Sequence, residues 1–193
     1  KDEAFKEIAR RIKAGNNPNE YEIYEFMLNL MKRNNMHCED GPIVAINEHA
    51  ADPHFEPTKE NCQVMKEGDL VLLDLWAKLN KPGSIYYDIT WMGYIGTEIP
   101  ARIDEVFQVG RKARDTALQL VKDRFADNKP LFGWEVDDAC RKVIVDAGYG
   151  EYFTHRTGHN IGEEVHGNGV HIDNLETKDE RKIIPGTCFS VEP

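Results

Sequence analysis

Apolar positions recur along this chain at two periods, one helical and one extended, and the switches between them lay out its elements. Phe5, Ile8, Ala9 and Ile12 form a stripe that predicts a helix over residues 2–14, stopped by Gly15. A second helix is predicted from Asn17 as N-cap, with Pro18 at the first helical position and Glu20 in the first turn. Tyr24, Met27, Leu28 and Met31 make its inner face, and it runs to about Arg33. GPIVAI at 41–46 reads as a buried strand, and residues 47–67, with Pro53 and Pro57, as a loop. Two strand-like runs, Leu70–Ala77 and Ile85–Met92, flank the turn signal Asn80-Lys81-Pro82-Gly83, which predicts a hairpin. A long helix is predicted over 103–125 with Ile103, Val106, Phe107, Gly110, Ala113, Ala117, Leu120 and Val121 inside. A last helix over 134–147 is predicted to bury Val136, Ala139, Cys140, Val143, Ile144 and Ala147, with Gly148 just past its end. Helix, helix, strands thus occurs twice, in residues 1–100 and 101–193, a weak repeat of structure in an α+β chain. The second copy lacks a complete hairpin, and its last strand, Thr187–Glu192, is left without a partner.

Each arm of the hairpin carries one acid in its apolar middle, Asp74 after VLL and Asp88 after IYY. A buried, unpaired carboxylate costs several kcal/mol, so each needs a cation, donors or a proton. The two positions are symmetric about Lys81, which predicts that they pair directly on one face with Cβ atoms about 5 Å apart. Carboxylates so placed repel, and divalent ions would turn the repulsion into a site. The competing reading puts one or both in the turn or on an exposed edge.

Composition narrows the function without naming it. The net charge is −10, from 34 acids against 24 Lys and Arg, which speaks against nucleic acid or an anionic membrane as the main partner. No apolar run approaches the ~18–20 residues of a membrane span. Cys38, Cys62, Cys140 and Cys188 show no CxxC and no regular spacing, which fits a reduced, cytoplasmic compartment. The chain begins at Lys1 rather than Met, and Pro193 follows directly on a strand-like run. Both features predict a piece of a longer protein.

A second chemical cluster lies at 155–166, HRTGHNIGEEVH, with three His in twelve residues and Gly158 and Gly162 beside the central one. Neutral imidazole is the commonest metal ligand and also a proton carrier near neutral pH. Clustering in a glycine-containing loop favours function over a structural role, whereas His37 and His171 read as structural. Around FSVEP (189–193), Ser190 and Glu192 share one face of a short run with the preceding Cys188, and Phe189 and Val191 share the other. Glu192 is then a ligand, or the exposed start of a turn before Pro193.

Taken together, GDLVLLD…YYDIT, HRTGHNIG…H and PGTCFSVEP resemble the pita-bread metallopeptidases: methionine aminopeptidases, prolidases and X-Pro aminopeptidases. The resemblance covers nearly the whole chain, and GDLVLLD and HRTGH point to the X-Pro branch. It implies a pita-bread fold of duplicated helix–helix–hairpin halves in a single catalytic domain over 1–193, here lacking an N-terminal domain and the final strands. It implies hydrolysis of an N-terminal residue from peptides, at X-Pro bonds, by two divalent ions, Mn, Co or Zn. Asp74 would bind one ion with both oxygens, Asp88 would bridge, and His159 and Glu192 would bind the other. His166 would steady the oxyanion or the leaving nitrogen, His54 would stand on the substrate side, and His155 would form a wall of the site. Cytoplasmic location and a homodimer are further implications.

Three departures from the family pattern stand out. Its fifth ligand, a bridging Glu on the next strand, would lie beyond Pro193, so this piece is expected to hold metal weakly and to be inactive by itself. Trp91 and Gly167 stand where the X-Pro branch usually has Arg and an acid. Two other readings remain: a pita-bread module that binds peptides or proteins without catalysis, and a metal-free C–N hydrolase of the creatinase kind.

Overall fold

A computed structural model describes all of residues 1–193, which divide into two compact units, Lys1–Ile99 and Pro100–Pro193. No helix is long and apolar enough to cross a membrane.

In the first unit, α1 (Asp2–Lys13) and α2 (Glu20–Arg33) precede the strands β1 (Met36–His37), β2 (Ile43–Ile46), β3 (Leu70–Leu79) and β4 (Tyr87–Tyr94). β3 is the shared strand, antiparallel to β4, to β2 and, at its end, to β1. Its residues alternate: Val71, Leu73, Leu75 and Ala77 are buried, with Leu72, Asp74 and Trp76 on the other face. The buried set packs on Ile23, Met27 and Met31 of α2, Ala4 and Ile8 of α1, and Val44 and Ile46 of β2. Each large side chain so buried contributes roughly 1.5–3 kcal/mol.

Three local expectations fail in this unit. Asn17 is not the N-cap of α2. Asn19 is, accepting from the Glu22 N–H while Glu22 accepts from the Asn19 N–H; Glu20, which stands at N3 of an Asn17 start, is instead buried and accepts the Ile46 and Gln63 N–H groups. The Asn17 amide instead donates to the Met65 carbonyl at 2.8 Å. On α1, Ala9 is exposed and Ala4 takes the inner place; on α2, Ile23 is the innermost residue of the stripe.

The second unit holds α3 (Ala101–Ala126) and α4 (Gly133–Asp146). α4 stops where predicted, with Gly148 in the left-handed region at φ 85°, but Ala147, expected inside, is exposed at its C-cap. The core gathers Ala113 and Ala117 of α3, Val136, Cys140 and Ile144 of α4, and Leu131, Phe153, Val170, Ile172 and Ile183 from the connections. The predicted α3 stripe fails at its start, where Val106 and Phe107 are 41% and 50% exposed. The run around Glu192 is not unpartnered. The N–H groups of Ser190 and Glu192 donate to the His159 and Thr157 carbonyls at 2.9 Å each, and Ile161 N–H donates to the Cys188 carbonyl at 2.9 Å. On its other side the 157–161 stretch exchanges two hydrogen bonds between Gly158 and Ile172. The histidine segment is therefore the middle of a short ladder, hidden from period-two reading by its glycines.

Candidate metal centre

The hairpin carries both of its candidate acids on a single face. Asp74 lies opposite Thr90, and Asp88 opposite Trp76, so the predicted direct pairing of the two acids is wrong by two residues. The hairpin loop is longer than a four-residue turn, since the last pair is Ala77 with Tyr87. An even offset keeps side-chain parity, so both carboxylates stay on the face away from the buried Val71-Leu73-Leu75 row. As diagonal neighbours they stand about 7 Å apart instead of about 5 Å. The Thr90 hydroxyl donates to Asp74 Oδ1 at 2.9 Å. Trp91 alternates to the opposite face from Asp88, where the Lys1 ammonium lies 4.2 Å from its ring centre. That departure from the family pattern thus leaves the carboxylate face untouched.

In the second unit, His159 Nε2 lies 3.2 Å from Glu192 Oε1. His159 Nδ1 faces the Asn160 carbonyl at 3.2 Å. A carbonyl only accepts, so Nδ1 carries a proton; Nε2 donates to the carboxylate in the metal-free protein, and it is the nitrogen whose lone pair a cation would take in place of that proton. This is the arrangement by which a backbone carbonyl orients a metal-binding histidine. Ligand atoms on one ion with bonds of about 2.0–2.2 Å stand roughly 3 Å apart, so the pair fits a shared divalent ion. Hard oxygen with one imidazole suits Mn²⁺, Zn²⁺ or Co²⁺.

Ser190 ties the pair together. Its hydroxyl donates to Glu192 Oε1 at 2.6 Å and accepts from the His159 N–H at 2.9 Å. Burial pushes the Glu192 carboxyl up, but hydrogen bonds from His159 and Ser190 and the charge of His159 outweigh it, and the net shift is downward. Glu192 therefore stays a carboxylate, as a ligand must.

The remaining histidines are distributed unevenly. The His166 ring, on an exposed residue, meets His159 edge-on with centres 4.3 Å apart. His155 is half-buried, its Nδ1 2.8 Å from the Arg156 carbonyl and its ring edge-on to Phe153. His54 is exposed in the 47–67 loop, its N–H donating to Asp52 at 2.9 Å. The neighbouring His49, not singled out from the sequence, stacks on Phe55 and bonds the fully buried Glu20 at 2.9 Å. Glu20 also accepts the Ile46 and Gln63 N–H groups at 2.7 Å, so this carboxylate anchors the loop that bears His54.

Sequence reasoning missed the residues that hold the histidine segment. Asp137, fully buried on α4, accepts from the Thr157 N–H at 2.9 Å, the Thr157 hydroxyl at 2.5 Å and the Asn174 N–H at 2.8 Å. Arg141, one turn on, donates to the Phe153 and His155 carbonyls at 2.8 Å each. The available signal was an acid inside the helix's buried stripe with a cation four residues later. His171, read as merely structural, accepts the Asn160 N–H through Nδ1 at 3.0 Å. Burial, then the nearby Arg156 and Arg181, push its pKa down, and the neutral ring is the one that can accept.

Comparison with known proteins settles the family. The model of metallopeptidase family M24 matches residues 1–193. The chain belongs to this family. An Xaa-Pro dipeptidase of Lactobacillus delbrueckii subsp. lactis is 32% identical over 169 residues, 88% of this chain but 41% of its own. Among solved structures, an Xaa-Pro dipeptidase from Bacillus anthracis aligns with 100% of this chain and 49% of its own at a TM-score of 0.75 and 27% identity. A prolidase from Thermococcus sibiricus aligns with 99% of this chain and 48% of its own at a TM-score of 0.73 and 26% identity. The chain thus spans about two fifths of the curated relative and half of each solved one. The α+β pita-bread expectation agrees with these neighbours.

Proposed function

We propose that the whole protein is a dinuclear, metal-dependent exopeptidase that releases the N-terminal residue from X-Pro peptides. The observation that carries this is the His159–Glu192 pair, 3.2 Å apart, which joins the HRTGH segment to the FSVEP run in a chain of this metallopeptidase family. Asp74 would hold one ion, Asp88 would bridge, and His159 and Glu192 would hold the second, with Mn, Co or Zn as the metal. When bound, such ions lower the pKa of a water and polarise the scissile carbonyl.

The chain's own residues supply the rest. Glu192, held ionised by His159 and Ser190, and His159, fixed through the Asn160 carbonyl, need no rearrangement to bind a cation. His166 stands beside His159 as an exposed imidazole able to donate a proton or hydrogen bond to developing charge. His155 would wall the site, and His54, on the loop anchored by Glu20, would meet the substrate from the hairpin side. A reduced, cytoplasmic setting and a homodimer complete the reading.

The test is hydrolysis of X-Pro dipeptides and tripeptides, beside the same peptides with alanine in place of proline, before and after chelation. Proline-dependent cleavage that chelator abolishes and metal restores is expected. Full activity in excess chelator, or no preference for proline, overturns the proposal.

A further inference from the structure

We infer that the Asn160 side chain is a positioning residue: it clamps the loop that carries His166 against His159, and it does so in space that the side chains of residues 167 and 169 would otherwise fill. The functional half of this rests on the metallopeptidase reading; the geometric half does not.

Asn160 uses every polar atom it has. Its N–H donates to His171 Nδ1 at 3.0 Å, and its carbonyl accepts the Gly167 N–H at 2.8 Å as well as facing His159 Nδ1. Its carboxamide accepts the Gly169 N–H at 2.9 Å and donates to the Cys188 carbonyl at 2.8 Å. The side chain therefore links the far end of the 160–169 loop to the ladder strand that ends in Glu192. His166 sits inside that loop, and its ring is the one in contact with His159. Apart from the clamp, a turn bond from Gly162 N–H to the Glu164 carbonyl is the loop's other internal backbone bond, beside the Gly167–Asn160 one.

The glycines carry the second, independent observation. Neither Gly167 nor Gly169 has positive φ, so the backbone does not demand glycine at either place. What demands it is volume. A Cβ on Gly167 would collide with Asn160 Oδ1, and one on Gly169 would meet Nδ2 at 2.5 Å and Cγ at 2.6 Å. The Asn160 carboxamide could move aside only by giving up its bonds to Gly169 and Cys188. The Asn160 carboxamide in its bonded position and a side chain at 167 thus exclude one another, which accounts for glycine at a position where the resemblance led us to expect an acid.

A double-mutant cycle tests this in the whole protein, with Asn160→Gly, Gly167→Ala and the double variant. The first readout is the NMR ring signals of selectively labelled His159 and His166; the second is kcat and KM on an X-Pro peptide. Each single variant is expected to shift both ring signals and to lower kcat about tenfold with KM within about twofold, because the loop is misplaced while the groups that bind substrate stay where they are. In the Asn160→Gly background, Gly167→Ala is expected to add less than about twofold, since nothing is left for the new Cβ to displace. Equal cost of Gly167→Ala in both backgrounds, or unchanged ring signals in Asn160→Gly, overturns the inference. Should Gly167→Ala not fold, recovery of folding in the double variant supports it and continued misfolding overturns it. A protein without peptidase activity leaves the ring signals to decide, so failure of the functional reading and failure of the clamp are told apart.

Discussion

Thr90 stands opposite Asp74 across the hairpin and donates its hydroxyl to that carboxylate at 2.9 Å. The partner that the strand register gives Asp74 is a donor rather than the second acid. Repulsion between the two carboxylates is eased by distance, and the Thr90 bond fixes one oxygen of Asp74. Thr90→Val keeps the shape and removes the donor. Divalent-metal affinity of the whole protein, measured by titration calorimetry, should fall about tenfold with the thermal midpoint little changed, as is usual when a ligand's supporting hydrogen bond is removed. Unchanged affinity would remove Thr90 from the site.

Ser190→Ala removes the hydroxyl shared by Glu192 and the His159 N–H. Metal affinity should drop about ten- to a hundredfold. The metal-free Glu192 pKa should rise, since one of the bonds that offset its burial is gone. Carboxyl NMR titration checks the second outcome, and a Glu192 pKa that stays put would contradict it.

The elements were largely legible in the sequence, and the couplings between them were not. Hydrophobic period placed α1, α2, β2, the hairpin, α3 and α4 to within a few residues. The hairpin register escaped because Asn80–Gly83 has the look of a whole loop, whereas pairing stops at Ala77 with Tyr87. Symmetry in sequence cannot report the length of a hairpin loop. The ladder around His159 escaped because residues 157–161 carry no strand pattern, and its order comes from Ile172 on one side and Ser190 on the other. Asp137 left one local sign, an acid in the buried stripe of α4 with Arg141 four residues on, but nothing in the sequence names its acceptor role toward Thr157 and Asn174, and Asn160 left no sign of its bonds to Gly169 and Cys188. The acids and histidines were visible as residue types; the groups that aim them were visible only once folded.

Asp137→Ala should be the costliest change outside the apolar core. It leaves two Thr157 donors and the Asn174 N–H without their acceptor, and Arg141 without its nearby charge at 3.5 Å. A loss of about 3–5 kcal/mol is expected in chemical denaturation. Since Thr157 loses its anchor on α4, the His155 and His159 signals should broaden as well. A loss under about 1 kcal/mol would mean that water replaces the carboxylate freely.

Acid should loosen the same region through His171. Its folded pKa lies below the unfolded value of 6.5, so the unfolded chain takes up a proton first. Stability from this group is complete above pH 6.5 and is lost as pH falls toward the lowered folded value. Arg156, Arg181 and His159 oppose protonation and Asp179 favours it. His171→Asn keeps an acceptor for the Asn160 N–H without a titrating ring. The pH slope of stability just below 6.5 should flatten in that variant; a slope equal to that of the wild type would assign the effect to another group.

His166→Ala should lower kcat on an X-Pro peptide about a hundredfold or more while KM moves little, the pattern of a contact that strengthens in the transition state. A rise in KM at constant kcat would make His166 a substrate-binding residue instead.

The central proposal is that Asp74, Asp88, His159 and Glu192 are ligands of divalent metal ions. Elemental analysis of the whole protein, wild type beside Asp88→Ala and Glu192→Ala, tests it most directly. About two divalent ions per chain are expected in the wild type, with loss of metal in both variants, because each residue is proposed as a metal ligand. Full metal content in either variant would contradict it.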